Sequence, residues 1–300
     1  MRLLLALTLA AATLVIGCGD GASPDDLLAQ LPSDAELLAT VDFSAAREAL
    51  ELPEDADPLD RGGGRGAQRL LFTVAYALPH LERPGDLPVT AALDHGRIRA
   101  AATGGLAPQG QVTVIATEQS VEEVLEGLEQ RGYRREGQIL ASDEPSVKVV
   151  YGAAAEADGL LVLAGSREAL EGVLESEDGG TGPARELLDE LEGPVRIASA
   201  RDRTRGSCLL GLGAADRPGA GKGELVLRVE GGADPKRSRF DDKEQSLPFT
   251  REVRFGTAKA DGDLLRTPFS YDAKDPGVSP LALVRGDLLA DQLYGCENGG

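Results

Sequence analysis

Apolar positions fall into short runs separated by polar, turn-forming stretches along most of the chain. Such runs predict strands where they are short and alternating, and helices where they recur every three or four residues. Residues 35–42, "AELLATVD", read as a strand, and "FSAAREALEL" as a helix with Ser44 as its N-cap. Residues 53–66 are rich in Pro, Asp and Gly and predict a loop. Residues 67–82, "AQRLLFTVAYALPHLE", are apolar almost all round, with Leu70, Leu71, Phe72, Val74, Tyr76 and Leu78. All-round apolarity predicts a buried helix. Residues 87–103 suggest a hairpin, "LPVTAALD" and "RIRAAAT", turning at His95-Gly96.

The next unit is the clearest. "QVTVIAT" alternates as a strand, and "SVEEVLEGLEQRG" is a helix with a Ser120/Glu123 capping box, closed by Gly132. Its stripe is Val121, Val124, Leu125 and Leu128. Strands follow near 138–141, 146–153 and 159–164, then a helix capped by Ser166. A short helix covers 183–192, with Pro183 at its start and Gly193 after it. Strands are expected at 195–201, 207–214, 224–230, 251–260 and 263–271, the last two turning at "ADGD". Residues 231–248 lack periodicity and read as a mobile loop, and a final helix is expected over 280–294.

An internal echo runs through this pattern. "REALE" stands at Arg47–Glu51 and at Arg167–Glu171, each after a strand and a Ser. "LPSDAELLATVDFS" and "LEGPVRIASARD" are a second pair, each strand ending at an acid, Asp42 and Asp202. The expected fold class is α+β: a largely antiparallel sheet or sheets, helices on one face, and duplication of a strand–Ser–helix unit.

The N-terminus stands apart. One charge, Arg2, precedes an apolar run from Leu3 to Ile16 broken only by Thr8 and Thr13. The run is too short to span a bilayer, which takes about 20 residues, and has the form of a secretory signal. It closes on Val15-Ile16-Gly17-Cys18. This resembles the lipobox of bacterial lipoproteins, which implies cleavage before Cys18 and diacylglycerol on its thiol. Two acyl chains suffice for stable anchoring. The expected parts are a signal peptide at 1–17, the acylated cysteine and tether at 18–24, a repeat-containing α+β region at 25–193 and a strand-rich region with a C-terminal helix at 194–300, as one domain or two. At the level of pattern, "LPSDAELLATVD" and "DGLLVLAGSREAL" resemble uncharacterised extracytoplasmic proteins of high-GC bacteria, a group that lends no activity.

Composition narrows the partners. The formal charge of −19 repels phosphates and anionic lipid, so nucleic acid is not an expected partner. With five Tyr, six Phe and no Trp, stacking on sugars or bases is disfavoured. Export favours disulfides, and the two cysteines left beside Cys18 most simply pair as Cys208–Cys296.

Catalytic grammar is missing. Neither a G-x-S-x-G elbow nor an S-x-x-K pair occurs, and the two histidines, His80 and His95, read as surface residues. "GAGKGE" at 219–224 fails as a phosphate loop, because Asp216 stands where its first Gly belongs and Gly223 where Ser or Thr belongs. Glu54, Asp55, Asp57 and Asp60 cluster without the calcium-loop register, and read as a solvated acidic loop. Arg201, Arg203 and Arg205 would share one strand face, suited to holding a carboxylate or phosphate or to protecting a sheet edge. No metal or cofactor is expected. Two readings lead: a lipid-anchored, non-catalytic domain that binds another envelope protein, or a carrier for an apolar small molecule or lipid lined by Leu71, Phe72 and Tyr76. An envelope enzyme is a distant third.

Overall fold

The near-continuous apolar runs become strands buried from both sides. A computed structural model of the chain describes residues 22–60, 62–78, 88–105, 110–142, 151–175, 182–200, 208–238 and 253–273, with Leu281, Val284 and Tyr294. Its strands are β1 (Leu37–Asp42), β2 (Ile98–Gly104), β3 (Val112–Thr117), β4 (Tyr133–Glu136), β5 (Ile139–Ser142), β6 (Ala153–Ala157), β7 (Leu160–Ala164), β8 (Val195–Ala200), β9 (Leu209–Arg217), β10 (Lys222–Val229), β11 (Arg254–Phe255), β12 (Lys259–Asp261) and β13 (Leu264–Ser270). All join one antiparallel sheet in the order β11-β13-β10-β9-β8-β1-β2-β3-β7-β6-β5-β4, with β12 also paired to β13. The α+β class with an antiparallel sheet therefore holds.

Helices cover both faces, not one. They are α1 (Pro24–Leu28), α2 (Phe43–Ala49), α3 (Arg65–Ala77), α4 (Pro88–Ala92), α5 (Val121–Glu129), α6 (Arg167–Leu174) and α7 (Pro183–Asp189). Leu37, Ala39 and Val41 of β1 pack in one core with residues of α2, α3, α4 and α5. Leu38 points the other way, into a second core with α1, α6 and α7. Alternation along a strand sends successive side chains to opposite faces. Continuous apolar runs such as "LLATVD" and "LLVLA" are what two covered faces require.

Several local expectations change. The segment "LPVTAALD" is no strand: α4 places Val89 and Leu93 one turn apart, and both are buried. Ala92 of α4 lies where a Cβ on Gly127 of α5 would be 3.1 Å from its own Cβ, so that glycine lets the two helices close. A 3₁₀ turn, His95–Arg97, then leads into β2, and His95 is buried rather than exposed. The cap of α2 is Asp42, whose Oδ1 accepts from the Ala45 amide at 2.8 Å, so the helix begins before Ser44. Ser120 stands at the N-cap of α5, but its side chain makes no capping bond. Ser166 caps α6 as expected, accepting from the Ala169 amide at 3.2 Å. Strand β4, "YRRE", was too charged to stand out as a strand. The expected strand at 251–260 is two shorter ones, and the "ADGD" turn joins β12 to β13 with Gly262 at φ +64°.

The two "REALE" copies live in different places. Arg47 is buried in α2 under one face, while Arg167 of α6 lies on the other face and pairs with Glu171 and Glu136. The second echo fares differently: its strands, β1 and β8, lie side by side at the middle of the sheet, Leu37 opposite Ser199 and Val41 opposite Val195. His80, most of the expected 280–294 helix, residues 239–248 of the expected loop and residues 146–150 of the expected strand lie outside the described residues.

Candidate functional site

Helix α3 carries the apolar stretch singled out in the sequence, and it rests on β1 and β8. Its inward rows hold Leu70, Val74 and Ala77, all in the core. Leu71 is half-buried, and Phe72 points outward at 38% exposure, the one exposed large apolar side chain among the described residues. The Tyr76 side chain lies outside what is described. Among the described side chains of this helix, Phe72 is the one aromatic shown to solvent.

Its inner face also carries a charge. Arg69 Nη2 donates to Asp216 Oδ2 of β9 at 3.0 Å, with the two side chains only 1% and 0% exposed. The guanidinium carbon lies 4.1 Å from the centre of the Tyr271 ring, a cation–π stack. The Tyr271 hydroxyl donates to Asp216 Oδ1 at 2.5 Å. Burial pushes the Asp216 carboxyl up, while the Arg69 charge and the Tyr271 hydrogen bond pull it back. Burial, followed by the Asp216 charge, drives the Tyr271 hydroxyl far above its ordinary value. Arg69 Nε and Nη1, Thr73 Oγ1 of the same helix and Thr267 Oγ1 of β13 are buried without a hydrogen-bond partner. Arg69 and Asp216 lie out of solvent, and their pairing fastens α3 to β9.

A cleft of about 570 Å³ opens on the opposite side of the sheet, at the end of α7. Glu190, Glu192, Arg217, Lys222, Glu224 and Arg266 line it, and none of Leu71, Phe72 or Tyr76 does. Its charges largely neutralise one another: Arg266 pairs with Glu190 and Glu224, and Arg217 with Glu192 at 3.2 Å. The "GAGKGE" stretch lies at the β9–β10 hairpin bordering this cleft. Gly221 turns the chain at φ +57°, its amide donating to Pro218 and its carbonyl accepting from Tyr271. A Cβ on Gly219 would lie 1.7 Å from the Ala49 carbonyl oxygen, so this loop is packed against α2.

The acidic loop is also spoken for. Asp57 Oδ1 accepts from the Leu59 amide at 2.7 Å, Asp60 Oδ1 from the Gly62 amide at 2.8 Å, and Glu54 pairs with Arg99 at 2.8 Å. Among the described residues, no three His, Cys, Asp or Glu side chains converge as a metal site. Arg201, Arg203 and Arg205, and Cys18 and Cys296, lie outside the described residues. Cys208 is half-buried at the head of β9. Two buried arginines, Arg47 and Arg69, escaped the sequence reading. The signal for Arg69 was its place inside an otherwise apolar helix.

No protein-family model matches the chain, and no curated protein matches it. Solved structures of TP0453 are similar in outline. Crystal form I is 14% identical with a TM-score of 0.44, over 91% of this chain and 100% of that one. Form III is 12% identical with a TM-score of 0.40, over 89% and 99%. Form IV is 12% identical with a TM-score of 0.41, over 83% and 94%.

Proposed function

We propose that this chain is a lipid-anchored, extracytoplasmic interaction domain without catalytic activity, whose contact element is the outward face of α3. The lipobox at Val15–Cys18 supports the anchor. The observation that carries the contact is Phe72, exposed on a helix whose other side is fastened by a buried ion pair. Large aromatics on rigid supports are the residues that dominate protein interfaces, because little side-chain freedom is lost on binding. The carrier reading needs Leu71, Phe72 and Tyr76 turned into a cavity, and the outward turn of Phe72 favours a protein partner instead.

The test is a photocrosslinking amino acid placed at 72 in the full chain in cells, with Glu126, outward on α5, as control. A discrete adduct with one envelope protein at 72 and none at 126 supports the reading. The same adducts from both positions, or none from 72, contradicts it. Lipid retained by the purified protein in native mass spectrometry would favour the carrier. The same reading pairs Cys208 with Cys296, which non-reducing peptide mapping tests directly. The same reading keeps the duplication of a strand–Ser–helix unit, which rests on the shared "REALE" at Arg47–Glu51 and Arg167–Glu171.

A further inference from the structure

The 3₁₀ turn before β2 is assembled around a second buried arginine. Arg47 donates from Nε to the Ala56 carbonyl at 3.0 Å, from Nη1 to Ile98 at 2.7 Å and from Nη2 to His95 at 3.0 Å. One guanidinium therefore ties together the acidic segment 53–60, the 3₁₀ turn and the start of β2. The segment lies directly on the turn, since a Cβ on Gly96 would be 2.5 Å from the Asp55 carbonyl oxygen. Asp94 braces the turn, its Oδ1 accepting from the Gly96 amide at 3.1 Å. Inside this assembly His95 is 8% exposed, and its Nε2 is buried without a hydrogen-bond partner.

A buried, unpartnered imidazole is tolerable when neutral and costly when charged. The charged groups around it are of both signs. Asp94 and Arg97 stand on its own turn, Asp55 and Asp57 on the segment above, Arg47 on α2, Arg99 on β2 and Glu118 just beyond β3. Burial holds His95 below its ordinary value, while Asp57 and Asp94 pull the other way.

We propose that the His95–Arg97 turn and the segment 53–60 form an acid-released latch, in which protonation of His95 expels the imidazole and loosens the segment from Arg47. The sign follows from linkage. The latch is at full strength above about pH 6.5, where the released chain also holds His95 neutral. It weakens as pH falls from there to the lower value at which the latched His95 titrates. The window between pH 7 and 5 brackets the ordinary histidine value and lies above the ordinary carboxylate range, so it isolates the histidine.

Hydrogen exchange tests this in the full chain, with rates corrected for intrinsic pH dependence. The amides of Ala56, Asp60 and Arg97, bonded to Pro53, Asp57 and Asp94, report the latch. Their protection should fall by about tenfold per pH unit between pH 6.5 and the folded titration point. Protection of the α5 amides should stay constant. His95→Gln should abolish the fall, and His80→Gln should leave it intact. Constant protection from pH 7 to 5, or an equal fall in His95→Gln, overturns the proposal. If His95→Gln does not fold, the imidazole resonances of the wild-type protein decide. Titration of His95 well below pH 6.5, with the segment's resonances shifting alongside, supports the latch; titration at or above 6.5 overturns it.

Discussion

Replacing Arg69 with Met removes the cation that faces Asp216 and keeps most of the side-chain volume. At 3.0 Å and an effective dielectric of about 20, the pair's attraction is about 5–6 kcal/mol before desolvation is subtracted. The Asp216 carboxylate would be left fully buried, with the Tyr271 hydroxyl and the Arg217 amide as its donors. Breaking a buried pair from one side costs about 3–5 kcal/mol, because an unpaired charge remains. With an m-value of about 3 kcal/mol/M, the urea midpoint should fall by about 1–1.7 M at pH 7. The pH dependence has a definite sign. Burial already raises Asp216, and losing Arg69 raises it further. A carboxyl with a raised folded value favours the folded state in acid and loses that advantage as pH rises through the folded value. The deficit of Arg69→Met should therefore shrink toward pH 4. Adding Asp216→Asn removes the orphaned charge and keeps an acceptor for Tyr271, so the double variant should recover most of the lost midpoint. The reasoning fails if Arg69→Met melts within about 1 kcal/mol of wild type at pH 7. It fails equally if the double variant is no better than the single.

Three further outcomes follow from the packing. Leu125→Ala, in the core beneath α5, should cost about 2–5 kcal/mol in a urea melt. Losing the capping bonds in Ser166→Ala and Asp42→Ala should cost about 1 kcal/mol each, whereas Ser120→Ala, whose side chain caps nothing, should change stability by less than about 0.5 kcal/mol. Gly219→Ala would force a methyl into the Ala49 carbonyl, and should yield a melting loss larger than that of Gly172→Ala, whose added Cβ meets open space.

Elements with one strong period were legible in the sequence. The stripe Val121, Val124, Leu125 and Leu128 predicted α5, and all four side chains are buried. The second covered face was legible only in part. Continuous runs such as "LLVLA" imply burial on both sides, but nothing local says which helix supplies each cover. Residues 88–92 misled because Val89 and Thr90 favour strands in isolation, while burial of Val89 and Leu93 on one helical face decides the outcome. The buried charges were the hardest to see. Arg69 and Asp216 lie 147 residues apart and meet only through the sheet order, and His95 is covered by a segment that reads as solvent-facing. The outward aromatic was half legible: Phe72 was singled out, but all-round apolarity could not tell which way it turns.

Anchoring is most directly tested by intact-mass and N-terminal peptide analysis of the protein extracted from cell membranes. A chain beginning at Cys18 with diacylglycerol on its thiol, and a Cys18→Ala variant that leaves the detergent phase, is the predicted result. A chain that keeps residues 1–17, or an unmodified Cys18 in a protein that partitions into the aqueous phase, would contradict it.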